Sequence, residues 1–280
     1  MKSKYINLFT DFGFKKIFGE EASKPMLIDF LNTLLPDLHI VNLTFKDKEK
    51  LGKTYEDRKA IYDIYCENDK GEKIIVELQK AKQNYFKERT IYYATFPIQE
   101  QAEKGDWDYN LKAVYCIGVL DFIFDDNKKA KKKEVVHEIV LKDKNNELFY
   151  EKLKFVYLEM PNFILIEKKL KTRLDKWLYF IKNLEHLESI PVIFKDKIFE
   201  QAFKKAEIAK YSEQERNDYA ASLKAYRDLK GVIDTAFDEG KIEGKIEGKI
   251  ETAKLMKIER KLIEKIIKFT GLSKEEIERL

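Results

Sequence analysis

Two short segments, AIYDIYCEN and KIIVELQK, hold the residue types best able to do chemistry, and the turn between them sets how those residues meet. Both are rich in β-branched and aromatic side chains, and Asp69, Lys70 and Gly71 separate them, which is the pattern of a β-hairpin. A three-residue loop with its glycine in the left-handed conformation pairs Asn68 with Glu72. Counting outward then places Asp63 opposite Glu77, with Cβ atoms about 4.5 to 5.5 Å apart on one face. Like charges opposed in a sheet are destabilising, so the arrangement makes sense mainly with a cation between them. Mg²⁺ is the natural candidate because it favours carboxylate oxygens and keeps several waters, and Mn²⁺ would be able to substitute. Period two puts Gln79 on the same face as Glu77 and turns Ile74, Val76 and Leu78 toward a core. A cation held by Asp63 and Glu77 could polarise a phosphate, lower the pKa of a bound water and neutralise charge in an in-line displacement, which is equipment for phosphodiester hydrolysis. The competing reading is a pair of solvent-facing charges on an ordinary edge hairpin, and spacing alone does not separate the two.

The elements that must position this hairpin are legible on both sides of it. In LFTDFGFKKIFGE, Thr10 and Asp11 are candidate N-caps, and Phe14, Ile17 and Phe18 follow at helical spacing. Pro25 at a first turn, the apolar pattern of MLIDFLNTLL and a stop at Pro36 predict a second helix packed on the first. HIVNLTFKD reads as a strand before the hairpin. A helix is expected from about Lys82 to Lys104, kinked or split at Pro97. LKAVYCIGVLDF is nearly continuous in apolar residues, as suits a strand buried on both faces. EVVHEIVLKD and LKFVYLEMPNF supply further β segments around the turn-like KNNE, and from Leu170 the pattern is helical, with Leu174, Trp177, Leu178 and Ile181 on one stripe. The expected organisation is an α/β part over residues 1–165, a helical region over 166–235 and a repeat-containing helical tail over 236–280.

That tail contains EGKI three times from Glu239 to Ile250. On a helix each Glu meets a Glu and each Lys a Lys at i+4, so each row repels itself, and each Gly costs about 1 kcal/mol relative to Ala. The segment is therefore weak alone. It reads either as an oligomerisation or docking element whose partner neutralises the rows, or as a solvated repeat grown by slippage. The end, GLSKEEIERL, is better formed, with Ser273 and Glu276 matching a capping box.

Composition sets outer limits. No apolar run approaches the roughly 20 residues of a membrane-crossing helix, and the start lacks the pattern of a signal peptide, so a cytoplasmic protein without a membrane partner is expected. Cys66 and Cys116 are the two cysteines, both in apolar segments, and read as buried thiols rather than a disulfide or zinc framework. With 54 basic and 50 acidic residues, the formal charge of +4 permits nucleic-acid binding without demanding it. The histidines His39, His137 and His186 are scattered without ligand spacing, and Trp107 and Trp177 read as packing residues.

AIYDIYCENDKGEKIIVELQKAK resembles the D…E-x-Q core of the Rpn family of recombination-promoting nucleases and putative transposases, a branch of the PD-(D/E)XK superfamily. DFGFKKIFG, FLNTLL and RTIYYA resemble segments of the same family in the same order, and the similarity covers about residues 5 to 165. The resemblance implies an α/β restriction-endonuclease-like core, a mixed central sheet flanked by helices, followed by an all-helical C-terminal region. It implies Asp63 and Glu77 as Mg²⁺ ligands and Asp63, Glu77 and Gln79 as catalytic residues of a DNA endonuclease associated with recombination or transposition. Gln79 stands where the wider superfamily has a lysine. A Gln donates hydrogen bonds but carries no charge, and Lys80 alternates to the other face, so Lys82 or a lysine from a helix would have to substitute. Arg89 and Tyr93, four residues apart and so on one helix face, are candidate DNA contacts with Lys82, against the alternative of a solvated Arg and a core-facing Tyr. Asp11 is a further candidate metal ligand, although an Asp after Thr10 also suits a helix start. The rival function is a catalytically weak interaction protein acting through its helical half, with self-association through the C-terminal helices an open reading. A nuclease directed at RNA is a third.

Overall fold

The computed structural model describes residues 3–47, 49–50, 60–102, 105–124 and 133–280. Packing divides the chain into two units, Met1–Tyr226 and Arg227–Leu280.

The first unit is built on a mixed six-stranded sheet in the order β1-β4-β5-β6-β8-β7. Its strands are β1 (Leu43–Phe45), β4 (Ile64–Asn68), β5 (Lys73–Gln79), β6 (Val114–Leu120), β7 (Val136–Lys142) and β8 (Leu148–Glu159). β5, β6 and β8 run parallel to one another, and the outer pairs, β1 with β4, β4 with β5 and β7 with β8, are antiparallel. A separate two-stranded ladder joins β2 (Glu49–Lys50) to β3 (Ala60–Ile61). β6 is buried along its whole length, as its unbroken apolar run requires, and lies at the middle of the parallel part of the sheet.

Helices cover both faces. Alternate residues of the central strands, among them Ile64, Ile74, Val76, Leu78, Ile117 and Val156, share one core with α1 (Asp11–Phe18), α2 (Lys24–Leu34), α4 (Arg173–Asn183) and α5 (Lys197–Ala206). The residues between them, including Tyr65, Ile75, Cys116 and Tyr157, form a second core with α3 (Phe86–Gln99). Local chemistry sets the helix ends. Thr10 caps α1 by accepting from the Gly13 amide, and Thr172 with Asp175 forms a capping box on α4. Trp177 is fully buried, donates to Asp29 of α2 at 2.6 Å and packs on Phe18, Phe30 and Phe199. Arg173 forks between Asp29 and Asp196, which ties α4 to α2 and to the cap of α5. Both cysteines are buried free thiols.

Two expected elements have different limits. The helix placed from Lys82 begins only at Phe86, because Tyr85 adopts a left-handed conformation (φ 61°) that an ongoing helix cannot contain, and it ends at Gln99; its expected end at Lys104 lies outside the described residues. Pro97 does not split it. The proline has no N–H for the carbonyl of Tyr93 one turn earlier, and the buried Tyr62 hydroxyl donates to that carbonyl at 2.9 Å instead. The last strand runs Leu148–Glu159 rather than reaching Phe163, because Met160–Asn162 turns into a 3-10 helix around Pro161.

In the second unit the EGKI repeats lie within α6 (Glu213–Ile258), whose first turns belong to the first unit. Ala253 forms a small core with Ile266 of α7 (Ile263–Thr270), Leu272 and Ile277 of α8 (Lys274–Glu278). Ser273 and Glu276 make the capping box expected for the last of these. Among the described residues no helix is long and apolar enough to cross a membrane.

Replacing Tyr62 with Phe leaves the Tyr93 carbonyl unpaired beside a buried ring, so Tyr62→Phe is expected to cost about 1–3 kcal/mol in urea unfolding. An unchanged midpoint would show that this hydroxyl does not compensate for Pro97.

Candidate functional site

The hairpin carries the register read from its turn. Gly71 has φ +79°, Asn68 N–H donates to Glu72 O at 3.1 Å, and the ladder pairs Glu67 with Lys73 through Ile64 with Val76. One step further out, Asp63 faces Glu77. Here the ladder gives way to side chains: the Asp63 amide donates to Glu77 Oε1 at 3.3 Å, and Asp63 Oδ2 accepts from the Leu78 amide at 2.8 Å. The break separates β3 from β4 and turns the Asp63 carboxylate back onto β5.

Both carboxylates sit in a place that resists their charge. Glu77 lies beside Gly118 of β6, where an added Cβ would meet the Tyr157 ring at 2.9 Å, so the ring closes over this part of the sheet. Burial, and then the Asp63 charge, push the Glu77 carboxyl up to about 8. Asp63, with a side-chain exposure of 19%, is also raised, first by burial, against the opposing pull of the Leu78 amide and Lys15. Two neighbouring carboxylates whose ionisation is hindered by burial, and at Glu77 also by the charge of Asp63, are a donor set suited to a hard divalent cation, which removes the penalty by supplying positive charge between them. The chemistry of the donors thus fits a Mg²⁺-type ion bound through two carboxylates, water and a phosphate oxygen.

Positive groups approach from two helices. Lys15 of α1 places its ammonium 3.6 Å from Asp63 Oδ1. The first turns of α1 are held close by Gly13, where a Cβ would stand 2.2 Å from the Asn7 carbonyl, and by burial of Phe14, Ile17 and Phe18. Asp11, one turn before Lys15, is 57% exposed and pairs with Lys80 at 2.8 Å. Lys80 does alternate to the α1 face, yet from the strand end its charge, like that of Asp11, reaches Asp63. On the α3 side, Gln79 is 8% exposed and fully employed: its amide donates to the Ala81 carbonyl at 2.7 Å, and its oxygen accepts from Arg89. The other arm of the Arg89 fork reaches Gln83, and its plane lies over the rings of Phe86 and Tyr93. Arg89 in turn eases the Glu77 charge.

Of the residues singled out in the sequence, Asp63, Glu77, Gln79 and Arg89 form one continuous group, and Asp11 borders it through Lys80. Tyr93 packs edge-on against Tyr62 with 5.6 Å between ring centroids, so it is partly built into the second core. Lys82 lies on the exposed loop before α3, along a cavity of about 240 Å³ with Tyr85, Phe122 and Phe124. Lys15 was not among the expected site residues. The available signal was its place four residues after Asp11, which puts the two charged side chains one turn apart on the same side of α1. Among the described residues no group of three or more His, Cys, Asp or Glu side chains is placed to hold a metal ion.

A family model described as PD-(D/E)XK nuclease family transposase matches residues 8–236. No curated protein and no solved structure matches the chain.

The raised carboxyls give a signed pH prediction for the metal-free protein. Unfolded Glu releases its proton near its ordinary value, whereas folded Glu77 keeps it until about pH 8. Stability should therefore fall between those values as pH rises, by up to about 1.4 kcal/mol per unit for one such group. Glu77→Gln keeps an acceptor for the Asp63 amide and removes the charge, so its melting temperature at pH 8 should exceed that of the wild type by several degrees. A variant that melts lower at that pH would contradict a charge penalty at Glu77.

Proposed function

The chain belongs to the PD-(D/E)XK nuclease family transposases, and from that premise we propose that it is a Mg²⁺-dependent DNA endonuclease associated with recombination or transposition. The observation that carries this reading is the facing of Asp63 and Glu77 at a break in the hairpin ladder, with cationic groups from two helices around them.

In this reading Asp63 and Glu77 hold the divalent ion, with Mn²⁺ able to replace Mg²⁺. When bound, the ion supplies Lewis-acid stabilisation of the phosphate and eases ionisation of the attacking water. The water oxygen forms a bond to phosphorus while the bond to the leaving sugar oxygen breaks; the water's proton passes to solvent, and the leaving oxygen gains one. Gln79 acts through Arg89, holding the guanidinium on α3 where its positive charge eases the charge on Glu77 and attracts the DNA backbone. Lys82, on the adjacent exposed loop, adds a backbone contact to the DNA. Burial around Glu77 by Tyr157 and the α3 face keeps water away on one side and strengthens the electrostatics at the carboxylates.

Supercoiled plasmid is the substrate for the first test. The wild type should nick it in Mg²⁺, and Asp63→Ala and Glu77→Ala should lose at least about a hundredfold in rate while keeping their circular dichroism spectra. Equal cutting by all three would place the activity elsewhere. Failure of the wild type to cut DNA would favour an RNA substrate or an interaction protein built on the nuclease fold. Because the ion needs both carboxylates ionised, the Mg²⁺ concentration for half-maximal cutting should fall roughly tenfold per pH unit from pH 6 to 8 and then level off. A flat profile would mean that Glu77 is not titrating at the ion.

A further inference from the structure

We propose that Lys15 is a catalytic residue of this centre, delivering from α1 the positive charge that binds the scissile phosphate beside the ion. The inference rests on the endonuclease reading and adds a residue to it. Among the described residues, Lys15, Lys80 and Arg89 bring positive charge to the two carboxylates, and their engagements differ. Lys80 is taken by Asp11 at 2.8 Å. Arg89 spends its fork on Gln79 and Gln83. Lys15 has its ammonium 3.6 Å from Asp63 Oδ1, beyond hydrogen-bond distance, and makes no hydrogen bond among the described residues, so its three donors remain available. Its charge reaches both Asp63 and Glu77.

Contribution to the fold does not account for this placement. The Lys15 side chain is 42% exposed, and an ion pair of that exposure is worth little to stability. Its position is nevertheless well determined, since α1 is capped by Thr10, held against the Asn7 carbonyl at Gly13 and buried along Phe14, Ile17 and Phe18. A side chain held rigidly at its base, with free donors at its tip beside a metal-binding carboxylate, suits a group that meets an anionic ligand. Negative charge grows on the non-bridging phosphate oxygens as water attacks, and the ammonium donates hydrogen bonds to one of them. In this role Lys15 only donates hydrogen bonds and transfers no proton, so the bonds made and broken are those of the hydrolysis given above. Gln79 cannot take this part, because it is neutral and both ends of its amide are engaged within the protein.

The test compares full-length wild type, Lys15→Gln, Lys15→Arg and Asp63→Ala in single-turnover plasmid nicking at saturating Mg²⁺, together with Mn²⁺ titrations followed by thermal melting without DNA. Lys15→Gln should cut about 100- to 1,000-fold more slowly, bind Mn²⁺ at least as tightly as the wild type because a competing cation has gone, and melt within a few degrees of it. Lys15→Arg should recover at least a tenth of the rate. Cutting by Lys15→Gln within threefold of the wild type, with Asp63→Ala inactive, would overturn this inference and leave the endonuclease intact. Loss of Mn²⁺ binding in proportion to the lost rate would also overturn it, by making Lys15 a support for Asp63. Absence of cutting by the wild type would overturn the endonuclease reading and this inference with it.

Discussion

The repulsion between Asp63 and Glu77 is the constraint on which the site depends. In a regular ladder the two would be cross-strand neighbours with like charges and nothing to offset them. The chain instead opens the ladder, so that the Asp63 amide turns to Glu77 and the Leu78 amide turns to Asp63. These two bonds satisfy backbone groups that the break would leave unpaired, and they hold each carboxylate against the backbone of the opposing strand. The surrounding packing adds to the effect, since Gly118 admits the Tyr157 ring beside Glu77 and raises the cost of its charge. The metal-free centre is thus electrostatically unfavourable in a way that a divalent cation would relieve.

The two helical layers divide the work of managing that charge. α1 packs on one core through Phe14, Ile17 and Phe18 and carries Asp11 and Lys15, one turn apart, at the flank of that stripe. α3 packs on the opposite core through Phe86 and Ala94 and presents Arg89 toward Gln79. Because the sheet lies between them, cations reach the same pair of carboxylates from both sides. The helix exchange at Pro97 belongs to the same scheme: Tyr62, directly before Asp63, ties the chain at the break to the last turns of α3. Carboxylate, break and covering helix are therefore mechanically linked over a few residues.

Much of the centre was legible in the sequence because it follows from local rules. The turn Asp69-Lys70-Gly71 sets a register, period two carries it along both strands, and from these the facing of Asp63 and Glu77 and the inward turn of Ile74, Val76 and Leu78 follow without any knowledge of the rest of the fold. The caps at Thr10 and Ser273, the buried strand β6 and the buried cysteines are local readings of the same kind. The helix limits around α3 were less accessible. A left-handed Tyr85 has no strong sequence signal, and the tolerance of Pro97 depends on a hydroxyl more than thirty residues earlier in the chain.

What the sequence by itself determined is the pair of carboxylates and the strands that oppose them, because hairpin geometry is set by neighbours along the chain. Only the tertiary structure decided which cations stand beside that pair. Lys15, Lys80, Lys82 and Arg89 are equal in charge on paper, and their roles separate only when α1 and α3 dock on opposite faces of the sheet. Docking is governed by burial of the apolar faces of those helices, which carries the exposed side chains with it, so the position of a charged group follows from hydrophobic packing elsewhere on its own helix.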